Sequence, residues 1–179
     1  EIARVYKDNR QYNEAMEWAE KGLKAFPEDQ DSRLRSFLAT EYSRRSRHEE
    51  ATELAWENFT ESPGWETYSE LKKHAEKAGA WSQWRERAIS YLREKAEREK
   101  SQDAEKKTSW RHTEPGADLV EVFLWEEEIE SAWKAARRYG CSREQWLSLA
   151  RLREEEHPRD AIEVYQREVA RQVERTKNE

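Results

Sequence analysis

Two stretches of this chain repeat one pattern, with equivalent residues 36 positions apart. The first reads Ile2-Ala3-x-Val5-Tyr6, then Tyr12, Ala15, Gly22-Leu23 and Pro27. The second reads Leu38-Ala39-x-Glu41-Tyr42, then His48, Ala51, Asn58-Phe59 and Pro63. Each copy carries small and large apolar residues at helical spacing on both sides of a short break. A unit of this length is one helix pair, which cannot bury its apolar face alone and stacks on its neighbours. The spacing therefore predicts an all-α α-solenoid of antiparallel helix pairs, about nine helices in all, and repeat-array packing of those pairs would make it a right-handed superhelix.

Polarity alone would argue against a packed core. Charged residues make up 40% of the 179-residue chain and apolar ones 35%, and the mean hydropathy is −1.30. Nine Trp, seven Tyr and four Phe argue for burial instead, because each aromatic side chain covers a large area. A solenoid has a thin core and two wet faces, so it accommodates both facts. The five Gly and four Pro fall mostly at breaks, which favours long helices over many short strands. A net charge of −6 disfavours binding through phosphate neutralisation, so no direct nucleic-acid contact is expected. The single cysteine, Cys141, cannot form an intrachain disulfide and suits a reducing, cytoplasmic setting. No run approaches the roughly 18 apolar residues of a membrane-spanning helix.

Helical repeats are expected over 1–98, in units 1–30, 31–63 and 64–98. Asp31 or Ser32 is placed to cap the second unit, and Gly79 to end a helix in the third. Residues 99–117 read as a charged linker or loop, with Lys106-Lys107 and a turn at Pro115-Gly116. A further helical region covers 118–179, with a long apolar face from Leu119 to Ala136 ended by Gly140. Ser142-Arg143-Glu144-Gln145 has the form of a capping box, and His157-Pro158 breaks the helix it opens. The chain begins inside a repeat, so a piece of a longer protein is the expectation.

The order of small, large and Pro positions resembles tetratricopeptide repeats, closely in the first two units and more loosely elsewhere, over about two thirds of the chain. The last third carries a second likeness. Phe123-Leu124-Trp125-Glu126-Glu127-Glu128-Ile129-Glu130-Ser131-Ala132-Trp133-Lys134-Ala135-Ala136, then Trp146-Leu147-x-Leu149-Ala150, then His157-Pro158-x-Asp160-Ala161-Ile162-x-Val164-Tyr165, resembles the C-terminal helical region of bacterial SWIM zinc-finger family proteins. That family's Cys-x-Cys and Cys-x-His pairs have no counterpart here, so zinc binding is carried over to no residue.

Candidate chemistry is sparse. The runs Glu126-Glu127-Glu128 and Glu154-Glu155-Glu156 read as solvated helix faces, since adjacent residues fan out around a helix. His48, His74, His112 and His157 lack the clustering of a metal site, and no cofactor is implied. Cys141 sits before a helix N-terminus that could activate a thiol, although a small residue in a tight turn is the simpler role. Trp18, Trp56, Trp81, Trp84, Trp133 and Trp146 read as packing residues, with Trp65 and Trp110 as the better candidates for exposure. In tetratricopeptide-like arrays the first helix of each pair lines the groove. That resemblance marks Arg4 and Lys7, then Arg33, Ser36, Thr40 and Arg44, then Ser69, Lys73 and Lys77. Such a groove suits a protein or peptide partner with an acidic segment or a C-terminal carboxylate. The expectation is a non-enzymatic binding scaffold. The alternatives are an accessory domain of a nucleic-acid-linked SWIM protein, an enzyme or enzyme subunit using a pocket between the long helices, and a purely structural spacer.

Overall fold

The computed structural model describes residues 2–25, 31–105 and 114–177. Within them every regular element is an α-helix: α1 (Ile2–Asp8), α2 (Tyr12–Ala25), α3 (Ser32–Arg44), α4 (His48–Glu61), α5 (Trp65–Lys77), α6 (Trp81–Glu105), α7 (Ala117–Trp125), α8 (Ile129–Tyr139), α9 (Arg143–Arg153) and α10 (Pro158–Lys177). The ten described helices exceed the expected nine because the apolar face from Leu119 to Ala136 is broken between α7 and α8. Residues 99–105, expected in the linker, continue α6. Pro27, Lys106, Lys107, Trp110 and His112 lie outside the described residues. No helix among those described is long and apolar enough to cross a membrane.

One turn recurs at four helix junctions. After α1 the N–H of Gln11 donates to Tyr6 O, with Arg10 at φ 60° between them. After α3 the N–H of Arg47 donates to Tyr42 O, with Ser46 at φ 60°. The same arrangement links Ala80 to Ala75 around Gly79, and Glu128 to Phe123 around Glu127. Each is a Schellman-type cap, in which one left-handed residue satisfies the last carbonyls and reverses the chain. Only Gly79 is a glycine, so Arg10, Ser46 and Glu127 hold a conformation that opposes their Cβ atoms. Arg10 and Ser46 are 36 residues apart, so the sequence repeat is also a backbone repeat.

The chain divides into two compact units, residues 1–88 and 89–179, and α6 contributes to both. In the first, α1 to α4 close on Ala3, Ala19, Leu38, Ala39, Tyr42 and Ala51. Alanines at the helix contacts let the axes approach, and Met16, Leu23, Phe37 and Leu54 fill the margins. Farther along, a chain of rings runs Trp84–Trp56–Phe59–Tyr68–Trp81, with successive centroids 5.4–5.8 Å apart. Asp31 caps α3, its carboxylate accepting from Arg33 N at 2.9 Å.

In the second unit, Ile89, Leu92 and Ala96 of α6 are buried with Val120, Val122 and Phe123 of α7 and Leu149 and Ala150 of α9. Lys95 Nζ reaches Asp118 at 2.8 Å, pinning α6 to the start of α7. The capping box at Ser142 and Gln145 is formed in both directions. Trp133 stands edge-on to Trp146, with centroids 5.4 Å apart. Gly116 abuts the end of α8 so closely that a Cβ there would lie 2.3 Å from Gly140 O. Both glutamate runs fall at junctions rather than along helix faces: Glu126–Glu128 between α7 and α8, and Glu154–Glu156 between α9 and α10.

The shared turn yields a signed expectation. Ser46→Gly and Glu127→Gly each remove a left-handed Cβ and should stabilise the fold by about 0.5–1 kcal/mol, because the relief exceeds glycine's added chain entropy. Gly79→Ala, at φ 67° with open space around the site, should destabilise by about 1 kcal/mol. Urea denaturation of the three variants checks the signs; destabilisation by both glycines would refute the account.

Candidate functional site

Five of the nine groove candidates meet at one place. Lys7 of α1 and Arg33, Ser36, Thr40 and Arg44 of α3 line an open cleft of about 460 Å³, together with Tyr12, Ser32, Phe37 and Glu41. The helical period explains the set: 33, 36, 37, 40, 41 and 44 are successive positions on one face of α3. Asp31 fixes where that helix starts, and hence which face this is. A second cleft of about 470 Å³ shares Lys7, Arg33 and Phe37 and adds Arg4, Asp8, Asp31, Ala3 and Leu34. The two share Lys7 and Phe37, whose ammonium and ring stand 5.3 Å apart.

The first cleft is cationic. Lys7, Arg33 and Arg44 face one carboxylate, Glu41, leaving a local excess of two positive charges. Glu41 is itself nearly buried and bound by Arg44 Nη1 at 2.7 Å and Arg45 Nη1 at 2.6 Å. Sequence reasoning passed over this residue, since a buried glutamate looks like a surface one until its two guanidinium partners are brought beside it. Thr40 Oγ1 donates to Ser36 O, and Ser36 Oγ donates to Glu70 and accepts from Asn58 Nδ2 at 2.9 Å. Arg44 stands 6.0 Å over the Tyr12 ring. Arg4 pairs with Asp8 at 3.8 Å, with both side chains exposed.

The α5 candidates are not part of either cleft. Ser69 Oγ donates to Glu66 O at 2.8 Å, and Lys73 and Lys77 are exposed. Both lysines act instead on a buried group that the sequence pattern did not single out. His74 is fully buried, with Nδ1 3.3 Å from Ser43 Oγ and Nε2 4.0 Å from a Glu70 carboxylate oxygen. Burial, then Lys73, Lys77 and His48, lower its pKa to about 4. The Glu70 carboxylate therefore lies between a cleft residue, Ser36, and a neutral buried imidazole.

Other candidates fall out of contention. Cys141 is buried, and desolvation, followed by Glu114, pushes its thiol up to about 12, the reverse of an activated nucleophile. Trp133 is buried, whereas Trp18 and Trp65 are each 41% exposed; Trp18, expected in the core, instead lies beneath Lys21 at 5.1 Å. A scan against protein-family models finds no match to this chain, and a search of curated proteins finds none either.

The His74 environment sets an acid limit. Its ordinary value is 6.5 and its folded value about 4, so the folded state binds the proton less readily than the unfolded chain. The associated stability is fully present above about pH 6.5 and is lost as pH falls toward 4. The loss is on the order of 3 kcal/mol. His74→Gln should flatten that part of the stability–pH curve, measured by urea denaturation between pH 7 and 4. A curve unchanged by the substitution would refute the assignment.

Proposed function

We propose that the chain is a non-enzymatic binding scaffold whose first unit holds an acidic peptide segment or a C-terminal carboxylate in the cleft between α1 and α3. In this reading residues 1–88 are antiparallel helix pairs wound in the right-handed sense of tetratricopeptide-like arrays. The observation that carries it is the convergence of Lys7, Arg33, Ser36, Thr40 and Arg44 on one cleft whose lining holds three cations and one carboxylate. Guanidinium groups take carboxylates through paired, charge-assisted hydrogen bonds. Phe37 and Tyr12 add apolar walls for a neighbouring side chain. Sequential helix contacts and a repeated turn support a stacked array, the architecture that presents such surfaces.

The test uses fluorescein-labelled Asp/Glu-rich peptides, each made with a free and an amidated C-terminus, titrated by fluorescence anisotropy. Lys7→Glu/Arg33→Glu leaves the buried Glu41 cluster intact and should weaken binding at least about tenfold, the equivalent of one lost charge-assisted contact. Circular dichroism should stay unchanged. A gap between free and amidated peptides assigns the terminal carboxylate; equal binding assigns acidic side chains. Absence of binding to every acidic peptide, or binding indifferent to the double variant, would overturn the reading.

A further inference from the structure

The second unit holds an arginine cluster with a different construction. Arg137 of α8, Trp146 of α9 and Glu163, Val164 and Arg167 of α10 surround a cavity of about 150 Å³, walled also by Trp133. An adjoining depression adds Arg143, Glu168 and Arg171. Four guanidinium groups therefore face two carboxylates, a local excess of two positive charges in a chain whose net charge is −6. Trp146 is the shared floor. Its ring is held edge-on by Trp133, and Arg167 stands 5.3 Å over it.

The carboxylates show how the cluster treats an anion. Glu163 lies between two arginines, one oxygen 3.1 Å from Arg167 Nη2 and the other 3.7 Å from Arg137 Nη1. Glu168 is held by Arg143 Nη2 at 2.5 Å and accepts from Gln172 Nε2 at 3.0 Å. Glu168 is thus committed, whereas the 3.7 Å contact of Glu163 is an open ion pair on a half-exposed side chain. An incoming carboxylate would replace Glu163 with a group of equal charge and gain little. A phosphate monoester carries nearly one charge more and three acceptor oxygens, so the exchange satisfies both arginines and neutralises the local excess. The cavity's volume admits a phosphoryl group and its ester carbon, with the rest of the ligand outside.

We infer that the cleft between α8 and α10 is a phosphate-monoester site, in which Arg137 and Arg167 bind the phosphoryl oxygens, Trp146 forms the floor, and Glu163 is an internal carboxylate that the ligand displaces. Glu163 therefore lowers affinity for the ligand, whereas a purely structural ion pair would raise or ignore it.

The test follows the indole N–H signals of Trp133 and Trp146 by two-dimensional NMR at pH 7.5, assigned with Trp133→Phe and Trp146→Phe. The full chain is titrated with inorganic phosphate, a phosphoserine peptide, ribose 5-phosphate and, as the monoanionic control, acetate. The expected result is saturable shifts with phosphate and not with acetate, tightened several-fold by Glu163→Gln and weakened about tenfold or more by Arg137→Gln. Preference for the peptide assigns a protein-borne phosphate, and preference for the sugar phosphate a free one. Equal response to acetate and phosphate would overturn the site, and so would Glu163→Gln leaving phosphate affinity unchanged or weaker while the spectrum stays folded. Neither result bears on the α1–α3 cleft, which none of these substitutions touches.

Discussion

The left-handed residue that closes four of the helix junctions is the constraint on which the rest of the fold depends. A helix ends with several carbonyls unsatisfied, and a chain this polar could end it in many ways. Placing Arg10, Ser46, Gly79 and Glu127 at positive φ selects one, and the next helix starts within two residues. The junction is then so short that the paired helices must lie close together from the turn onward. That in turn dictates alanine where they meet: Ala15, Ala19, Ala39, Ala51, Ala75 and Ala136 are essentially inaccessible to solvent. Larger side chains there would push the axes apart and break either the contact or the cap. Turn and seam are thus one device, and the 36-residue spacing is its sequence trace.

The same device explains how so charged a chain can have a core at all. Alanine seams bury little area per residue, so the aromatic rings carry much of the remaining burial. Two arginines complete the interior. Arg35 of α3 is buried against Asn58 and Glu61 of α4. Arg153 of α9 is buried beneath Trp133 and engages Glu130 of α8 and Asp160 of α10. Buried ion pairs add little net stability, because desolvation offsets attraction, but losing one partner is costly. Their effect here is to make each helix position depend on the next.

What the sequence made legible follows from range. Caps are local, so Asp31 and the Ser142–Gln145 box could be read directly, and the repeat positions placed Ala3, Tyr6, Ala39 and Tyr42 on comparable helix faces. The break between α7 and α8 was not legible, because Glu127 occupies a position where a glycine would have announced the turn. For the same reason the Glu126–Glu128 run looked like a helix face. The clefts were half legible. The face of α3 follows from its period, but α5 sits where Ser69, Lys73 and Lys77 miss the cleft, and only the packing of α3 on α4 and α5 decides that. The pairs Arg153–Glu130, Arg153–Asp160 and Arg137–Glu163 were invisible because their members lie 7 to 26 residues apart on different helices.

Net charge is therefore a poor guide to what this surface can attract. At physiological ionic strength the field of an exposed charge fades over about 8 Å. Carboxylates far from a cleft then do little to cancel the cations lining it, and the composition of the lining decides the local potential. Both clefts are lined by more cations than carboxylates inside an acidic chain, yet they differ in how the resident acid is held. Glu41 is buried and saturated by two guanidinium groups at 2.6 and 2.7 Å, so it is a fixed part of the α3 surface and cannot leave. Glu163 is half-exposed, held by Arg167 at 3.1 Å but reached by Arg137 only at 3.7 Å, so it is held less firmly than Glu41. A fixed acid shapes a cleft for whatever approaches beside it. A displaceable acid competes for the same donors, and selects for ligands that carry more charge than it does.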